Sequence, residues 1–241
     1  KERKMEKFTK KAASLDLQEK IKTLILQRKL KSGDLMPTEN ELIELFNVSR
    51  SSLREAIKSL EALHILDIRH GIGTFVGSSS LTPMIRGLTF YAQLHLQDNL
   101  KNIIDILDIR EILQYGFAPM ALPKISEENS QRLQLLVKTL EENARKQCFS
   151  IAEEKQIHLL IYQPLQNHLL SQYLDAFWEI YEKLENDLPP IRVSPTALAL
   201  QYRELVDAVE AKDLERMQRA ILYYFQEIRQ CLLKGYHNEQ N

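Results

Sequence analysis

Apolar residues recur at helical spacing along nearly the whole chain, and the few places where the spacing changes mark its organisation. Leu17, Ile21, Leu24, Ile25 and Leu30 form one stripe, which predicts a first helix over Leu15–Leu30. Gly33 and Asp34 then make a turn. Thr38 followed by Glu41 is a capping-box pattern that starts a helix running to Phe46, with Leu42, Leu45 and Phe46 as its buried face. Asn47-Val48 is a tight turn, and Ser49 is placed to cap the next helix. In that helix Leu53, Ala56, Ile57 and Leu60 share one side, while Arg50, Ser51, Arg54 and Lys58 share the other. The period drops to two over Leu66–Arg69 and again over Thr74–Val76, around His70-Gly71-Ile72-Gly73. Glycines at such a tip supply the positive φ values of a tight hairpin.

Beyond Gly77-Ser-Ser-Ser80 the helical period returns and stays. It predicts helices over Thr82–His95, Asn99–Leu122, Glu127–Cys148, Ile151–Tyr162, His168–Asp187, Pro195–Ala211 and Leu214–Tyr236. Ser126 caps one of them, and Ser194-Pro195 is an N-cap followed by a first-turn proline. Gly116 and Pro119 threaten a kink, and Leu188-Pro-Pro-Ile191 is a break. The expected fold is mainly α. It comprises an N-terminal winged helix-turn-helix with a small β-hairpin wing, and a C-terminal antiparallel bundle of about seven helices. The expected division is residues 1–76 (with 1–11 a basic arm), a linker at 77–81, and a helical domain at 82–241.

Composition adds two things to this picture. With 241 residues, 44% hydrophobic and 27% charged, the chain is ordinary for a globular protein, and its 7 Gly and 8 Pro suit long regular elements. The net charge of −1 hides an asymmetry: residues 1–76 carry 15 Lys+Arg against 11 Asp+Glu, while the rest carries 17 against 22. A basic first third and an acidic remainder place a polyanion partner at the first third. No apolar run reaches the length of a membrane span, and no apolar secretory segment opens the sequence, so the expected location is cytoplasmic with no membrane partner. Cys148 and Cys231 have neither metal-ligand nor disulfide spacing and read as plain helix residues.

The exposed ridge of Arg50, Arg54 and Lys58 at the start of a helix suits docking into a DNA major groove. The blocks GDLMPTENEL, NVSRSSLREAIKSLE and HGIGTFV, in that order and spacing, resemble the GntR transcriptional regulators, and within them the FadR-like members. The resemblance is dense over 15–76 and thinner over 82–235. It implies double-stranded DNA contacts from Ser49, Arg50, Ser51 and Arg54 in the major groove and from His70 and Gly71 in the minor groove, with Thr38 and Asn40 near the backbone. Many relatives carry arginine where this chain has Asn40. His64 stands where relatives often have glycine, and is expected to end the helix, since histidine tolerates that backbone better than most residues.

For the second domain the resemblance implies an FCD-type bundle that dimerises and binds a small-molecule effector. Its signature of an arginine and four ligands falls here on Arg110, Glu154, His158, Tyr202 and Tyr224. Glu154 and His158 are one helical turn apart and point the same way. In the family those ligands commonly hold a divalent metal. Neutral tyrosines at two of the four positions are poor ligands, which leaves only Glu154 and His158, so no metal and no cofactor is expected. Tyr202 and Tyr224 read either as core residues with a hydrogen bond or as hydroxyls of a metal-free pocket for an anionic group. The expected function is a ligand-responsive repressor acting as a homodimer on a palindromic operator, with a small acidic metabolite or acyl ligand in the helical domain. The alternatives are an enzyme built on the bundle, with Glu154 and His158 as acid and base, and a winged helix used for protein contact. No nucleophile elbow, phosphate loop or zinc-protease motif supports the enzyme.

Overall fold

The computed structural model describes residues 2–78, 80–94, 100–148, 151–184 and 194–239, with side chains described between Ser14 and Lys234. The chain divides into two compact units, 1–84 and 85–241.

In the first unit the order is α1 (Glu2–Gln27), α2 (Glu39–Phe46), α3 (Arg50–Ala62), β1 (Leu66–Arg69) and β2 (Gly73–Val76). The first helix begins at Glu2, so the stretch expected as a loose basic arm continues the helix. It has no Gly or Pro and is rich in Lys and Glu, good helix formers. The helix stops at Gln27, and Lys29 turns into the left-handed region at φ 54°. Leu30 still packs against the core that Leu17, Ile21, Leu24, Leu42, Leu53 and Leu60 form.

The capping rules place the next two helices. Thr38 Oγ1 accepts from the Glu41 amide and the Glu41 carboxylate accepts from the Thr38 amide, which satisfies two orphan donors at the start of α2. Asn47 takes the left-handed turn at φ 50°, and Ser49 caps α3 by accepting from the Ser52 amide. Leu45 departs from expectation. It is 52% exposed, and Ile43 takes its place against the core. With α2 only eight residues long, its single buried residue, Leu42, sets which neighbours point inward.

β1 and β2 pair antiparallel from Leu66–Val76 to Arg69–Gly73, with Gly71 and Gly73 at φ 75° and 148°. Residues 33–36 brace this hairpin: Gly33 N–H donates to Val76, Val76 N–H to Asp34, and Met36 N–H to Thr74. His64 ends α3 in the left-handed region at φ 56°. Gly77 follows β2 so closely that a Cβ there would lie 2.2 Å from the His64 carbonyl oxygen, and its own N–H donates to Ile65. Ser80 Oγ hydrogen-bonds His64 Nδ1 at 2.7 Å and reaches Thr82 Oγ1 at 3.2 Å.

The remaining helices are α4 (Thr82–Leu94), α5 (Lys101–Ala121), α6 (Glu127–Arg145), α7 (Ile151–Tyr162), α8 (His168–Leu184), α9 (Pro195–Glu210) and α10 (Leu214–Glu239). Short 3-10 turns follow α5 and α7. α6 lies along α9 and α7, and α10 along α9 and α5. Val137, Ile157, Ile161, Leu174, Val206, Met217 and Phe225 lie in the shared core. Ser126 and Ser194 cap α6 and α9 as expected. α5 runs through Pro119. Pro119 has no N–H for the Tyr115 carbonyl one turn back, and the Gln218 amide lies 3.5 Å from that oxygen. α6 ends three residues early, Gln147 turning left-handed at φ 57°, so Cys148 is an exposed loop residue and not a helix residue. The Leu188–Ile191 break and the expected helix ends at His95, Asn99 and Asp187 lie outside the described residues. No helix among the described residues is long and apolar enough to cross a membrane.

Candidate functional site

On the first unit, Thr38, Asn40, Ser49, Arg50, Ser51, Arg54, His70 and Gly71 are all exposed. The local fold presents them in two groups. Ser49 through Arg54 occupy the cap and opening turns of α3, whose opposite side is anchored by Leu53, Ala56 and Ile57. His70 and Gly71 sit at the hairpin tip, braced by the 33–36 segment. Asn40 joins the first group directly, because its Oδ1 accepts from Arg50 Nη2 at 2.8 Å. Thr38 is engaged in capping α2, and its amide and hydroxyl hold the Glu41 carboxyl below the usual carboxylate range.

One member of this surface was missed in the sequence. Glu39 accepts from Arg54 Nε through both carboxylate oxygens, at 3.1 and 3.0 Å, and lies 3.7 Å from Arg50 Nη1. The two arginines of α3 are therefore held by the first turn of α2. Fifteen residues separate Glu39 from Arg54, and only the turn between the helices brings them together.

On the second unit, α5, α7, α9 and α10 bring Arg110, Glu154, His158, Tyr202 and Tyr224 into one buried cluster. The Tyr202 hydroxyl stands between two partners. It donates to Glu154 Oε2 at 3.0 Å and lies 3.0 Å from His158 Nε2. The Tyr224 hydroxyl interacts with both Arg110 and Tyr202. Phe177, Trp178 and Phe225, which the sequence did not single out, ring the Arg110 guanidinium with Tyr224, Trp178 coming within 4.4 Å.

Burial sets the protonation of this cluster. It pushes the Glu154 carboxyl up to about 7, against the opposing pull of the Tyr202 hydrogen bond and the Arg110 charge. It pushes His158 well below 6.5, and the Arg110 charge adds to that effect. It raises Tyr202 and Tyr224 above the usual tyrosine range, so both remain hydroxyls. These residues do not fit a divalent metal of the kind the resemblance implies. Two of the four positions are neutral phenols, Glu154 Oε2 and His158 Nε2 are committed to Tyr202, and the Arg110 cation occupies the same cluster. Among the described residues, no group of three His, Cys, Asp or Glu side chains could hold a metal ion.

Two family profiles match the chain. Residues 13–76 match "Bacterial regulatory proteins, gntR family", and residues 105–227, half of the chain, match "FCD domain". This chain belongs to the GntR family of regulators. Its second unit carries the FCD domain, a domain that binds small-molecule effectors, and its first carries the DNA-binding winged helix-turn-helix. Among similar proteins, the uncharacterized HTH-type transcriptional regulator YcbG of Bacillus subtilis (strain 168) is 27% identical over 96% of this chain and 95% of its own length. HTH-type transcriptional regulator LutR of the same organism is 24% identical over 90% and 99%. Streptococcus agalactiae GntR shares the fold, with a TM-score of 0.55 and 21% identity, covering 90% of this chain and 99% of its own. The GntR protein described here is thus a DNA-binding transcriptional regulator with a helical effector domain.

Proposed function

We propose that this GntR regulator acts as a homodimeric repressor on a palindromic operator, released by a small anionic effector bound in the helical domain. The proposed organisation is a DNA-binding domain at 1–76, a linker at 77–81 and an effector-binding and dimerisation domain at 82–241. The observation that carries the reading is the pairing of Arg50 and Arg54, exposed on the opening turns of α3, with a glycine-tipped wing. Arginine can fork onto guanine O6 and N7 in the major groove, and the wing backbone at Gly71 can approach the minor groove closely. Ser49 and Ser51 supply hydroxyls for phosphates, which position without specifying sequence. A dimer supplies two such heads to two half-sites, and an effector that alters their spacing links the two sites through one equilibrium.

Arg110, with His158, Tyr202 and Tyr224, supports an anion as the effector, because an arginine buried without a carboxylate ion pair among the described residues favours a ligand that carries one. No observation favours an enzyme built on Glu154 and His158, since both are buried and engaged by Tyr202. Gel shifts against a randomised palindrome pool, with native mass spectrometry of the bound species, test the proposal. Two chains per selected duplex are expected. Binding without preference for any inverted repeat would overturn it.

A further inference from the structure

The wing keeps its charge on the strands and its apolar surface at the tip. Arg69 is the one Lys or Arg between Leu66 and Val76. It is turned back from the tip: its Nε donates to Asp67 Oδ2 at 2.9 Å, and its guanidinium carbon lies 4.1 Å from the centre of the Phe75 ring. What the tip presents is His70-Gly71-Ile72-Gly73, with Ile72 72% exposed, among the most exposed large apolar side chains of the described residues. Its backbone is fixed, because the Ile72 N–H donates to the Arg69 carbonyl at 2.9 Å and Gly71 and Gly73 hold positive φ on either side. Leu35, 59% exposed, flanks the same turn, since a Cβ on Gly73 would meet Leu35 Cδ1 at 3.0 Å. A lone exposed Ile or Leu is ordinary. Two of them about one glycine, on a braced turn beside the residue proposed to enter the minor groove, contribute nothing to the core of the unit.

The chemistry of the minor groove decides what such a tip can read. A·T and T·A pairs show only acceptors there, while G·C adds the guanine N2 amino group, a donor that stands up from the middle of the floor. Over A·T the middle of the floor is a carbon-bound hydrogen, on which an apolar side chain can rest, and proteins do press apolar side chains into minor grooves. Ile72 has no acceptor. Pressed onto G·C, it would cover the amino group and leave it without a partner. Arginine, the side chain that a narrow minor groove attracts, is here held on the strands by Asp67 and Phe75. A backbone approach at Gly71 alone would carry little sequence information. We infer that Ile72 sets the base preference of the wing, selecting A·T over G·C in the minor groove by apolar contact. This rests on the reading of the wing as a minor-groove element. It adds the residue through which that element reads sequence.

The test uses the full chain on the inverted repeat selected from the randomised palindrome pool, at one fixed salt concentration. Hydroxyl-radical footprinting locates the minor groove covered on each half-site, and so the base pairs under the wing. Each of these pairs is made A·T, G·C or inosine·C, and affinity is read by fluorescence anisotropy. Inosine lacks the N2 amino group, so inosine·C keeps the major-groove face of G·C and takes the minor-groove face of A·T. A·T and inosine·C are expected to bind within about twofold of each other, and G·C roughly tenfold more weakly. Ile72→Val keeps the apolar contact and should keep the preference. Ile72→Ser, whose hydroxyl can accept from the amino group, should bring all three pairs to within about twofold, with the melting temperature unchanged. Arg69→Ala should leave the preference in place. If Ile72→Ser fails to fold, the response of the parent chain to inosine decides. Equal binding of the three pairs by the parent, a G·C penalty that inosine does not relieve, a penalty that survives Ile72→Ser, or one that vanishes in Arg69→Ala overturns the inference and leaves the wing reading standing. A pool that yields no preferred sequence, or a footprint with no minor-groove protection beside the major-groove contacts, removes that reading and the inference with it.

Discussion

Arg54 and Arg110 show two settings for the same side chain. Arg54 lies on the surface with both nearby carboxylate oxygens of Glu39 on its Nε. Arg110 is 5% exposed, with two nitrogens that have no hydrogen-bond partner among the described residues. A surface ion pair of this sort contributes about 0–1 kcal/mol, so it can be exchanged for a phosphate or a base at little cost. A buried cation without an ion pair is expensive, and its survival in a core calls for a reason other than stability. The first unit therefore keeps the charges proposed to meet DNA loosely held, in pairs that can be exchanged. The second keeps Arg110 in a buried interior, where the proposed anionic effector would supply the missing partner. On the proposed function, the difference separates a recognition surface, which would be read by exchange, from a sensor, which would be read by completion.

The largest effect that could break this contrast is in the interior and depends on pH. Glu154 has a folded value of about 7 against 4.5, so the stability it contributes is fully present below pH 4.5 and is lost as pH rises through 7, by roughly 3 kcal/mol. His158 is depressed below 6.5, so its contribution is present above 6.5 and is lost on acidification. Between pH 4.5 and 6.5 the two slopes oppose each other. Urea melts of Glu154→Gln should show greater stability than the parent at pH 8, and a loss of stability on acidification below 6.5 that the parent masks. Parallel curves for the two proteins would mean the cluster is wet and the contrast with the surface is lost. Next in size, Arg54→Ala should weaken operator binding about 10- to 100-fold, since a good arginine–guanine pair carries roughly 1–3 kcal/mol. Dimer mass and melting temperature should stay at the parent values. A melting temperature lowered by many degrees would show that Arg54 is held for structure. The smallest effect sharpens the same point: Glu39→Gln should change unfolding free energy by less than about 1 kcal/mol, and a larger loss would show that the surface pairs are not freely exchanged.

What the sequence disclosed followed the range of the interaction. Thr38 with Glu41, Ser49, Ser126 and Ser194 are caps whose partners lie three residues away, and each forms as its local pattern predicts. The glycines of the wing likewise declare a backbone requirement that a few residues express. Glu39 escaped because its partners are reached through a turn, and nothing in its own neighbourhood marks it. Leu45 was misplaced because an eight-residue helix has too few turns to fix its buried face by periodicity. The spacing of Glu154 and His158 puts them on one face of a helix, but Tyr202 was legible only through family resemblance, since it lies 44 positions from His158 and 48 from Glu154 and meets them only after packing. Trp178 carried no signal at all.

The stretch that follows the wing has a mechanical consequence. By its composition, 77–81 reads as five residues of slack. Yet Gly77 is pressed against the His64 carbonyl with no room for a Cβ, and Ser80 is tied back to the His64 ring. A tether pinned at two points behaves as a clevis rather than a string. Its usable contour begins beyond the second pin, so the free length of the segment is shorter than its composition suggests.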